Sequence, residues 1–212
     1  MSSSPPPPSK RTLGKTYLFR DLFSGCDMFS VAQPYTVSST NDAVFVVQAN
    51  LLIKRGGVDV DIGCGAAFGG ADAEEAPMTE NDTSVIDVVD TYGLQEVSWA
   101  KKDFAAWVKP YLARVKGHLE SSRPHRLEPF MKGAQQFVLE IIKDFDNWVF
   151  YINANMDNDG MICFARYRDG ATVPEFYFFR DGLQLCFPGT GANLAAEAHV
   201  SAEIAAREGY VV

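Results

Sequence analysis

Hydrophobic residues alternate with polar ones, or form short β-branched and aromatic stretches, over most of the chain between residues 16 and 187. These stretches predict strands at residues 16–20, 44–53, 84–90, 94–99, 147–153, 161–167, 175–180 and 183–187. Asp157-Asn158-Asp159-Gly160 predicts a tight hairpin turn between the strands at 147–153 and 161–167, with Asp159-Gly160 supplying the positive φ angles that such turns need. The pattern therefore indicates a mainly β protein.

The spacing of the apolar residues changes to a helical period between residues 99 and 145. The first helix has an apolar stripe of Phe104, Trp107, Val108, Tyr111, Leu112 and Val115. The second has a stripe of Phe130, Ala134, Phe137, Val138, Ile141 and Phe145. Ser98 is expected to cap the first helix, Pro110 to kink it, and Pro129 to open the second. The short connection at 121–125 predicts an antiparallel helical hairpin.

The remaining segments lack such patterns. Residues 1–14 are rich in Ser and Pro and are expected to be a disordered tail. Residues 56–82 are crowded with Gly, Asp, Glu and Ala, which predicts a long mobile acidic loop. Residues 188–212 are expected to be a helix-prone extension. The sequence thus predicts one α+β domain at 15–187, predominantly β, that contains the loop and the hairpin.

Charge is distributed unevenly along the 212 residues, which carry a net charge of −8. Residues 99–143 contain nine Lys or Arg and four Asp or Glu, a net of +5, which leaves −13 on the remainder. This division predicts that a basic helical surface meets an acidic partner, with an ordinary solvated helical surface as the alternative. The overall pI near 4.9 and the absence of an RNP-type motif argue against binding to nucleic acid.

The sequence also predicts a compartment. No apolar run approaches the roughly 20 residues needed to span a bilayer, and the N-terminus lacks the apolar segment of a secretory signal. The four cysteines are widely scattered without a Cys-x-x-Cys pair, which favours reduced thiols over a disulfide framework or a zinc site. A cytoplasmic protein without a membrane partner is expected.

Motifs for catalysis are absent from the sequence. The chain has neither a Gly-rich phosphate loop nor a Gly-x-Ser-x-Gly elbow. His118 and His125 lie among Lys and Arg, and nothing in the sequence supplies a carboxylate to orient them. Most acids fall in the expected mobile loop, where they cannot keep the fixed geometry of acid/base catalysis. We therefore predict no catalytic residue and no required cofactor.

Residues 155–166 begin like a calcium-binding EF-hand loop. Asn155, Asp157 and Asp159 supply oxygen atoms at positions one, three and five, and Gly160 stands at position six. Position twelve is Arg166 instead of a bidentate Glu, and strand-like runs flank the segment where an EF-hand needs helices. The segment is interpreted as a hairpin turn, with a weak calcium site at Asp157 and Asp159 as the alternative.

A series of ordered motifs makes the chain resemble a known family. The motifs are Phe19-Arg20-Asp21-Leu22, Asp27-Met28-Phe29-Ser30, Gly69-Gly70, Leu94-Gln95-Glu96, Arg123-Pro124, Pro129-Phe130-Met131, Asn155-Met156, Asp159-Gly160-Met161 and residues 178–183. On these motifs the chain resembles the translationally controlled tumour protein family over residues 16–187. The resemblance implies a β-tent core like that of the small guanine-nucleotide-releasing chaperones, with an inserted helical hairpin.

The resemblance also implies a regulatory adaptor related to growth and survival, which binds calcium and stabilises microtubules. Its implied partners are tubulin, translation elongation factors and a Ras-like small GTPase. Partner contacts of the family are assigned to the basic hairpin, which here means Lys101, Lys102, Lys109, Arg114, Lys116, Arg123 and Arg126. The acidic residue that faces the GTPase corresponds to Asp27, which is one methylene shorter than the Glu of the family.

The calcium ligands of the family are only partly matched. The Asn of the loop signature is replaced by Ala71, and a Gln donor of the late strand is replaced by Val149. Asp72, Glu74 and Glu75 remain as candidate ligands in the acidic loop.

Two other functions are retained as alternatives. The first is guanine-nucleotide exchange or stabilisation of a GTPase through Asp27 and the β surface. The second is an enzyme on a related fold, such as a methionine sulfoxide reductase, which would need a reactive cysteine. The scattered spacing of Cys26, Cys64, Cys163 and Cys186 argues against this enzyme.

Overall fold

The computed structural model describes residues 17–38, 42–54 and 83–186. Its strands there are β1 (Leu18–Asp21), β2 (Asp27–Ser30), β3 (Tyr35–Val37), β4 (Val44–Gln48), β5 (Leu51–Lys54), β6 (Thr83–Ile86), β7 (Gln95–Val97), β8 (Trp148–Ile152), β9 (Cys163–Arg166), β10 (Glu175–Phe179) and β11 (Leu183–Cys186). The helices are α1 (Asp87–Tyr92), α2 (Lys101–Ser122) and α3 (Pro124–Lys143). The predicted N-terminal tail, acidic loop and C-terminal extension lie outside the described residues.

The strands of the described ranges form three antiparallel sheets. One has the order β11-β1-β2, the second the order β3-β4-β10-β9-β8-β7, and the third is the two-stranded ribbon β5-β6. The predicted class, a mixed α+β protein with mostly sheets, is confirmed. Both large sheets combine strands that are far apart in the chain, so neither is a simple meander.

The six-stranded sheet is covered on both faces because β10 is aromatic on both. Successive side chains of a strand point to opposite faces. The ring centroid of Phe178 lies 4.9 Å from that of Phe29 in the three-stranded sheet. Its neighbours Tyr177 and Phe179 point the other way and lie 5.8 and 5.7 Å from Phe137 of α3. The three-stranded sheet therefore packs on one face, and the helices pack on the other.

Phe164 of β9 lies at the centre of the helix-facing core and is fully buried. Its ring centroid is 6.0 Å from that of Phe104 in α2 and 5.6 Å from that of Phe137 in α3. The apolar stripes predicted from the sequence thus supply the buried faces of both helices, except that Phe145 lies beyond the end of α3, in a short 3-10 helix. Contacts of this kind, worth about 0.5–1.5 kcal/mol each beyond the area that they bury, hold the helices to the sheet.

Two predicted strands have different structures. Residues 44–53 form β4 and β5 instead of one strand, because Asn50 turns the chain from the six-stranded sheet toward β6. The Asn50 N–H donates to Asp87 Oδ1, and the Asp87 N–H donates to the Asn50 carbonyl. The prediction of a strand over residues 84–90 is wrong after Ile86, where β6 ends. The Asp87 carboxylate accepts the Val88 N–H at 2.7 Å, and α1 starts there.

The helix ends also differ from the prediction. Ser98 does not cap α2, which begins at Lys101. The Asp103 carboxylate instead accepts the N–H of Ala100 at 3.3 Å. α2 continues through Pro110 to Ser122, and α3 begins at Pro124 rather than at Pro129. Proline is well placed there, because the first helical residue has no intrahelical use for its N–H group.

The connection between β8 and β9 is longer than a tight turn. The two strands pair antiparallel, with Tyr151 opposite Cys163. Residues 153–162 join them, so the predicted tight hairpin is wrong in its length. Residues 157–160 do form a turn, in which the Gly160 N–H donates to the Asp157 carbonyl at 3.3 Å, but without the positive φ predicted for Asp159-Gly160. The positive φ in this connection belongs to Met156, at 54°. Gly160 is needed for space, since a Cβ there would lie 2.7 Å from Asn153 Nδ2 and 2.8 Å from Ser24 Cβ.

A buried ion-pair cluster fixes the start of α3. Arg126 Nη2 and Nε donate to the fully buried Asp181 carboxylate at 2.7 and 3.1 Å. Asp42 accepts from both Arg126 and Arg180, and Arg123 lies 3.7 Å from Asp181. Burial by itself lowers the pKa of Arg126, but the hydrogen bonds and charges of Asp181 and Asp42 raise it overall. The cluster ties α3 to the turn between β10 and β11.

Replacing Arg126 with Ala is expected to lower the free energy of unfolding by about 3–5 kcal/mol, because Asp181 keeps its charge in a buried site without its main partner. Urea unfolding followed by circular dichroism measures this loss. The change Asp42→Asn, at a side chain that is 54% exposed, keeps an amide oxygen that can accept from Arg126 and Arg180, so it should cost clearly less, about 1–2 kcal/mol. Equal losses in the two variants would contradict the assignment of Asp181 as the critical partner.

Candidate functional site

The outer face of α2 carries a row of lysines. Phe104, Trp107 and Tyr111 bury the opposite face of this helix against the sheet. Lys102, Lys109 and Lys116 are all exposed and are spaced by seven residues. Seven residues make nearly two helical turns, so the three side chains lie in one line, about 10 Å apart. We call these three residues the lysine row.

Two of the three lysines in the row have no ion pair with the described part of the chain. In the described residues, Lys116 pairs with Glu120 one turn later at 3.6 Å, while Lys102 and Lys109 have no ion pair. Lys101 is also exposed, and its Nζ lies 5.8 Å from the ring centroid of Phe145. The ammonium groups are therefore in water, where they attract acidic groups at low cost in desolvation.

The three arginines predicted for the same surface are engaged within the molecule. Arg114 Nη1 donates to the Asp159 carbonyl at 2.6 Å, and its guanidinium lies 4.0 Å from the ring centroid of Phe23. Arg123 is half-buried beside Asp181. Arg126 is buried, so the expectation that it belongs to an exposed basic surface is wrong. Guanidinium groups suit such sites because their planar donors match carboxylates and stack on rings.

Asp27 lies at a different surface, on the rim of a cavity of about 720 Å³. The cavity is lined by residues from the β1–β2 turn, the end of α1 and the β8–β9 connection, among them Cys26, Tyr92 and Asn155. Asp27 Oδ1 accepts from Arg20 Nε at 2.8 Å, and its side chain is 35% exposed. The carboxylate thus remains accessible from solvent while its orientation is held by Arg20.

The sequence analysis missed a buried polar cluster that shapes this cavity. Asp21 is fully buried, and its Oδ2 accepts from the Ser24 N–H, the Ser24 hydroxyl and the Met161 N–H at 2.8, 2.6 and 3.1 Å. Asn153 Oδ1 accepts the N–H groups of Asn155 and Asp157. Together these two side chains hold the β8–β9 connection against the β1–β2 turn. Asp21 had one sequence signal, its place in the motif Phe19-Arg20-Asp21-Leu22, whereas Asn153 had none.

Of the calcium candidates, only Asp157 and Asp159 lie in the described residues. Asp157 Oδ1 accepts the N–H of Asp159 at 2.9 Å, which closes a local turn. In residues 17–38, 42–54 and 83–186, no group of three or more His, Cys, Asp or Glu is placed to hold a metal ion. Asp72, Glu74 and Glu75 lie outside the described residues, so calcium binding stays a prediction.

The chain is similar to known proteins over nearly all of the described residues. A model of the translationally controlled tumour protein family matches residues 17–184. The translationally controlled tumour protein of Homo sapiens is 33% identical over 172 residues, which cover 79% of this chain and 97% of that protein. The homologue of Debaryomyces hansenii is 32% identical over 167 residues, which cover 78% and 96% of the two chains.

Solved structures of relatives have the same fold. The translationally controlled tumour-associated protein of Schizosaccharomyces pombe is 31% identical, with a TM-score of 0.64, and the match covers 80% of this chain and 98% of that one. The translationally controlled tumour protein of Caenorhabditis elegans, 22% identical with a TM-score of 0.57, is similar in fold over 80% and 97% of the chains.

The fold and the matches define a regulatory, growth-related class of α+β protein. The chain belongs to the translationally controlled tumour protein family. In the part of the chain that the structure describes, no helix is long and apolar enough to cross a membrane.

Cysteine alkylation tests the enzyme alternative. Burial raises the pKa of the Cys163 thiol, so at pH 8 it carries almost no reactive thiolate. We expect iodoacetamide to modify Cys163 at least about tenfold more slowly than the half-buried Cys26 in the folded chain, and equally fast in urea. Peptide mass spectrometry gives both rates. A cysteine that reacts far faster in the folded chain than in urea would instead favour an enzyme.

Proposed function

We propose that this protein is a cytoplasmic regulatory adaptor that binds acidic segments of its partners, tubulin tails first among them, through the lysine row. The observation that carries the proposal is that the arginines and the lysines of the helices have different environments. The arginines are engaged internally, whereas Lys102 and Lys109 point to solvent without a partner in the described residues. The proposal needs neither a catalytic residue nor a cofactor, and elongation factors with acidic segments are further candidate partners.

The spacing of the lysine row fits an extended acidic chain. Consecutive lysines are about 10 Å apart along α2. A chain in the polyproline II conformation has three residues per turn and advances by about 3.1 Å per residue, so every third side chain of a partner lying along the helix faces one lysine. A tail rich in Glu satisfies this spacing in many registers. Such binding favours partners with many closely spaced acidic residues rather than partners with one particular sequence.

The strength of this binding must depend on salt. The ammonium groups of the row are exposed, and exposed charges are screened over about 8 Å at physiological ionic strength. Each contact contributes little, about 0.2–1 kcal/mol when measured for exposed ion pairs. Affinity therefore comes from several contacts along the row and from electrostatic attraction before contact.

Charge reversal in the row tests the proposal. The double variant Lys102→Glu with Lys109→Glu should bind microtubules about tenfold more weakly than the natural chain in co-sedimentation at low salt, a loss of about 1.4 kcal/mol. Binding of the natural chain should also decline steadily as salt rises, because the contacts are screened. Both effects follow from ammonium groups that act in solvent.

The matched control makes the same change in net charge on the other helix, α3. The double variant Lys132→Glu with Lys143→Glu reverses two exposed lysines of α3 that are outside the row. It should keep most of the binding. If the two double variants lose binding equally, net charge and not the row is responsible. If neither loses binding, the adaptor site lies elsewhere.

A second candidate function concerns Asp27. Its carboxylate is partly exposed on the rim of the cavity of about 720 Å³, held in place by Arg20. This arrangement supports a contact with a Ras-like GTPase, either to promote nucleotide exchange or to stabilise the empty form, as the β-tent likeness to guanine-nucleotide-releasing chaperones implies. An oriented carboxylate next to a cavity offers both a charged and an apolar contact to such a partner.

Nucleotide release measures this second function. If Asp27 contributes, the natural chain should change the rate at which fluorescent GDP leaves a Ras-like GTPase, and Asp27→Ala should abolish that change. Asp27→Glu, which restores the length found in the family, should keep or increase it. An unchanged release rate with the natural chain, or an equal effect of Asp27→Ala, would eliminate this candidate.

A further inference from the structure

The two-stranded ribbon exposes three consecutive large aliphatic residues. Leu51, Leu52 and Ile53 of β5 are 46%, 43% and 51% exposed. Their side chains alternate between the two faces of the ribbon, so both faces are apolar at this strand. Singly exposed apolar residues are common on protein surfaces, but a continuous strand of them usually marks a contact.

The hydrogen bonds of β5 show which backbone groups remain at its outer edge. The N–H of Asp87 donates to the carbonyl of Asn50, so Asn50 directs its backbone groups toward β6. The backbone N–H and C=O groups of Leu52 and Lys54, which lie opposite Val85 and Thr83, also point toward β6, because hydrogen-bonded pairs alternate along an antiparallel ladder. Leu51 and Ile53 therefore direct their N–H and C=O groups away from β6. No strand of the described ranges pairs with that edge.

The edge lacks the usual protection against pairing. Natural edge strands carry a proline, a bulge or a lysine that keeps other strands away. β5 contains neither a proline nor an irregularity in its pairing with β6. Its one lysine, Lys54, is held in an ion pair with Asp90 of α1. Among the residues that the structure describes, nothing pairs with the outward donors and acceptors of this apolar strand.

We propose that β5 pairs antiparallel with β5 of a second copy of this chain, which joins two ribbons into a four-stranded sheet. The outward groups determine the register. Leu51 of each copy lies opposite Ile53 of the other, and these pairs exchange four N–H···O=C bonds in total. The two Leu52 residues face each other on the two-fold axis as a non-hydrogen-bonded pair. Lys54 then lies opposite Asn50, so no like charges meet.

The strand is self-complementary in this register. At positions 51, 52 and 53 every cross-strand pair joins two aliphatic side chains, and such pairs stabilise a sheet. A two-stranded ribbon is marginal by itself, and four strands make a more stable sheet. The contact is small compared with the roughly 1,200–2,000 Å² of a stable interface, so the dimer should be weak and depend on concentration.

Disulfide trapping tests the register. In a non-hydrogen-bonded pair the two Cα atoms are about 4.5 Å apart, within the range for a disulfide. The variant Leu52→Cys should therefore cross-link two copies under mild oxidation, and peptide mass spectrometry should find position 52 joined to position 52. The matched variant Leu51→Cys should not, because positions 51 of the two copies are diagonal neighbours about 7–8 Å apart.

Sedimentation tests the association without a new thiol. The apparent mass of the natural chain should rise toward twice the monomer value as concentration increases. Ile53→Pro removes one outward N–H and leaves the bonds between β5 and β6 intact, so this variant should remain a monomer with an unchanged urea midpoint. A natural chain that is monomeric at every concentration, or equal cross-linking in the two cysteine variants, would overturn the proposal. Monomers would indicate that another part of the same chain covers the edge.

Discussion

The six-stranded sheet has to be covered on both faces, because β10 places Phe178 on one face and Tyr177 and Phe179 on the other. Leaving either set in water would cost roughly 1.5–3 kcal/mol per side chain. The three-stranded sheet covers one face, and α2 and α3 cover the other. The remaining architecture follows from this requirement, including the sheets assembled from distant strands and the long helices between β7 and β8.

Covering the sheet decides which charges of α2 and α3 are available to partners. Residues near the buried stripe meet backbone carbonyls, rings and carboxylates, and in this chain they are arginines. Residues on the far side are exposed to solvent, and there the chain has Lys102, Lys109 and Lys116, of which only Lys116 has an ion pair in the described residues. This arrangement matches the chemistry of the two side chains, since a guanidinium is weakly hydrated and forked whereas an ammonium is a strongly hydrated point charge.

The lysine row and the edge of β5 belong to different elements, so they act independently. Their combination would nevertheless have a consequence for partners with repeated acidic tails. A dimer through β5 presents two rows, and a second weak contact made within one complex gains from its high effective concentration. Such a molecule would bind a polymer that displays many tails more tightly than one isolated tail. A weak adaptor thereby becomes selective for an assembled partner.

The sequence by itself determined the class of fold, most strands, the buried stripes of α2 and α3, and the lysines of the candidate surface, because hydrophobic period and charge are local properties. It misplaced the strand at 84–90, the start of α3 and the burial of Arg126. The first and the last of these depend on a distant partner, namely Asn50 for Asp87 and Asp181 for Arg126. The start of α3 was missed although its signal, a proline suited to the first helical position, is local. Only the tertiary structure decided the end of β6 and the burial of Arg126, since a side chain's partner across the fold has no signal in the spacing of its neighbours.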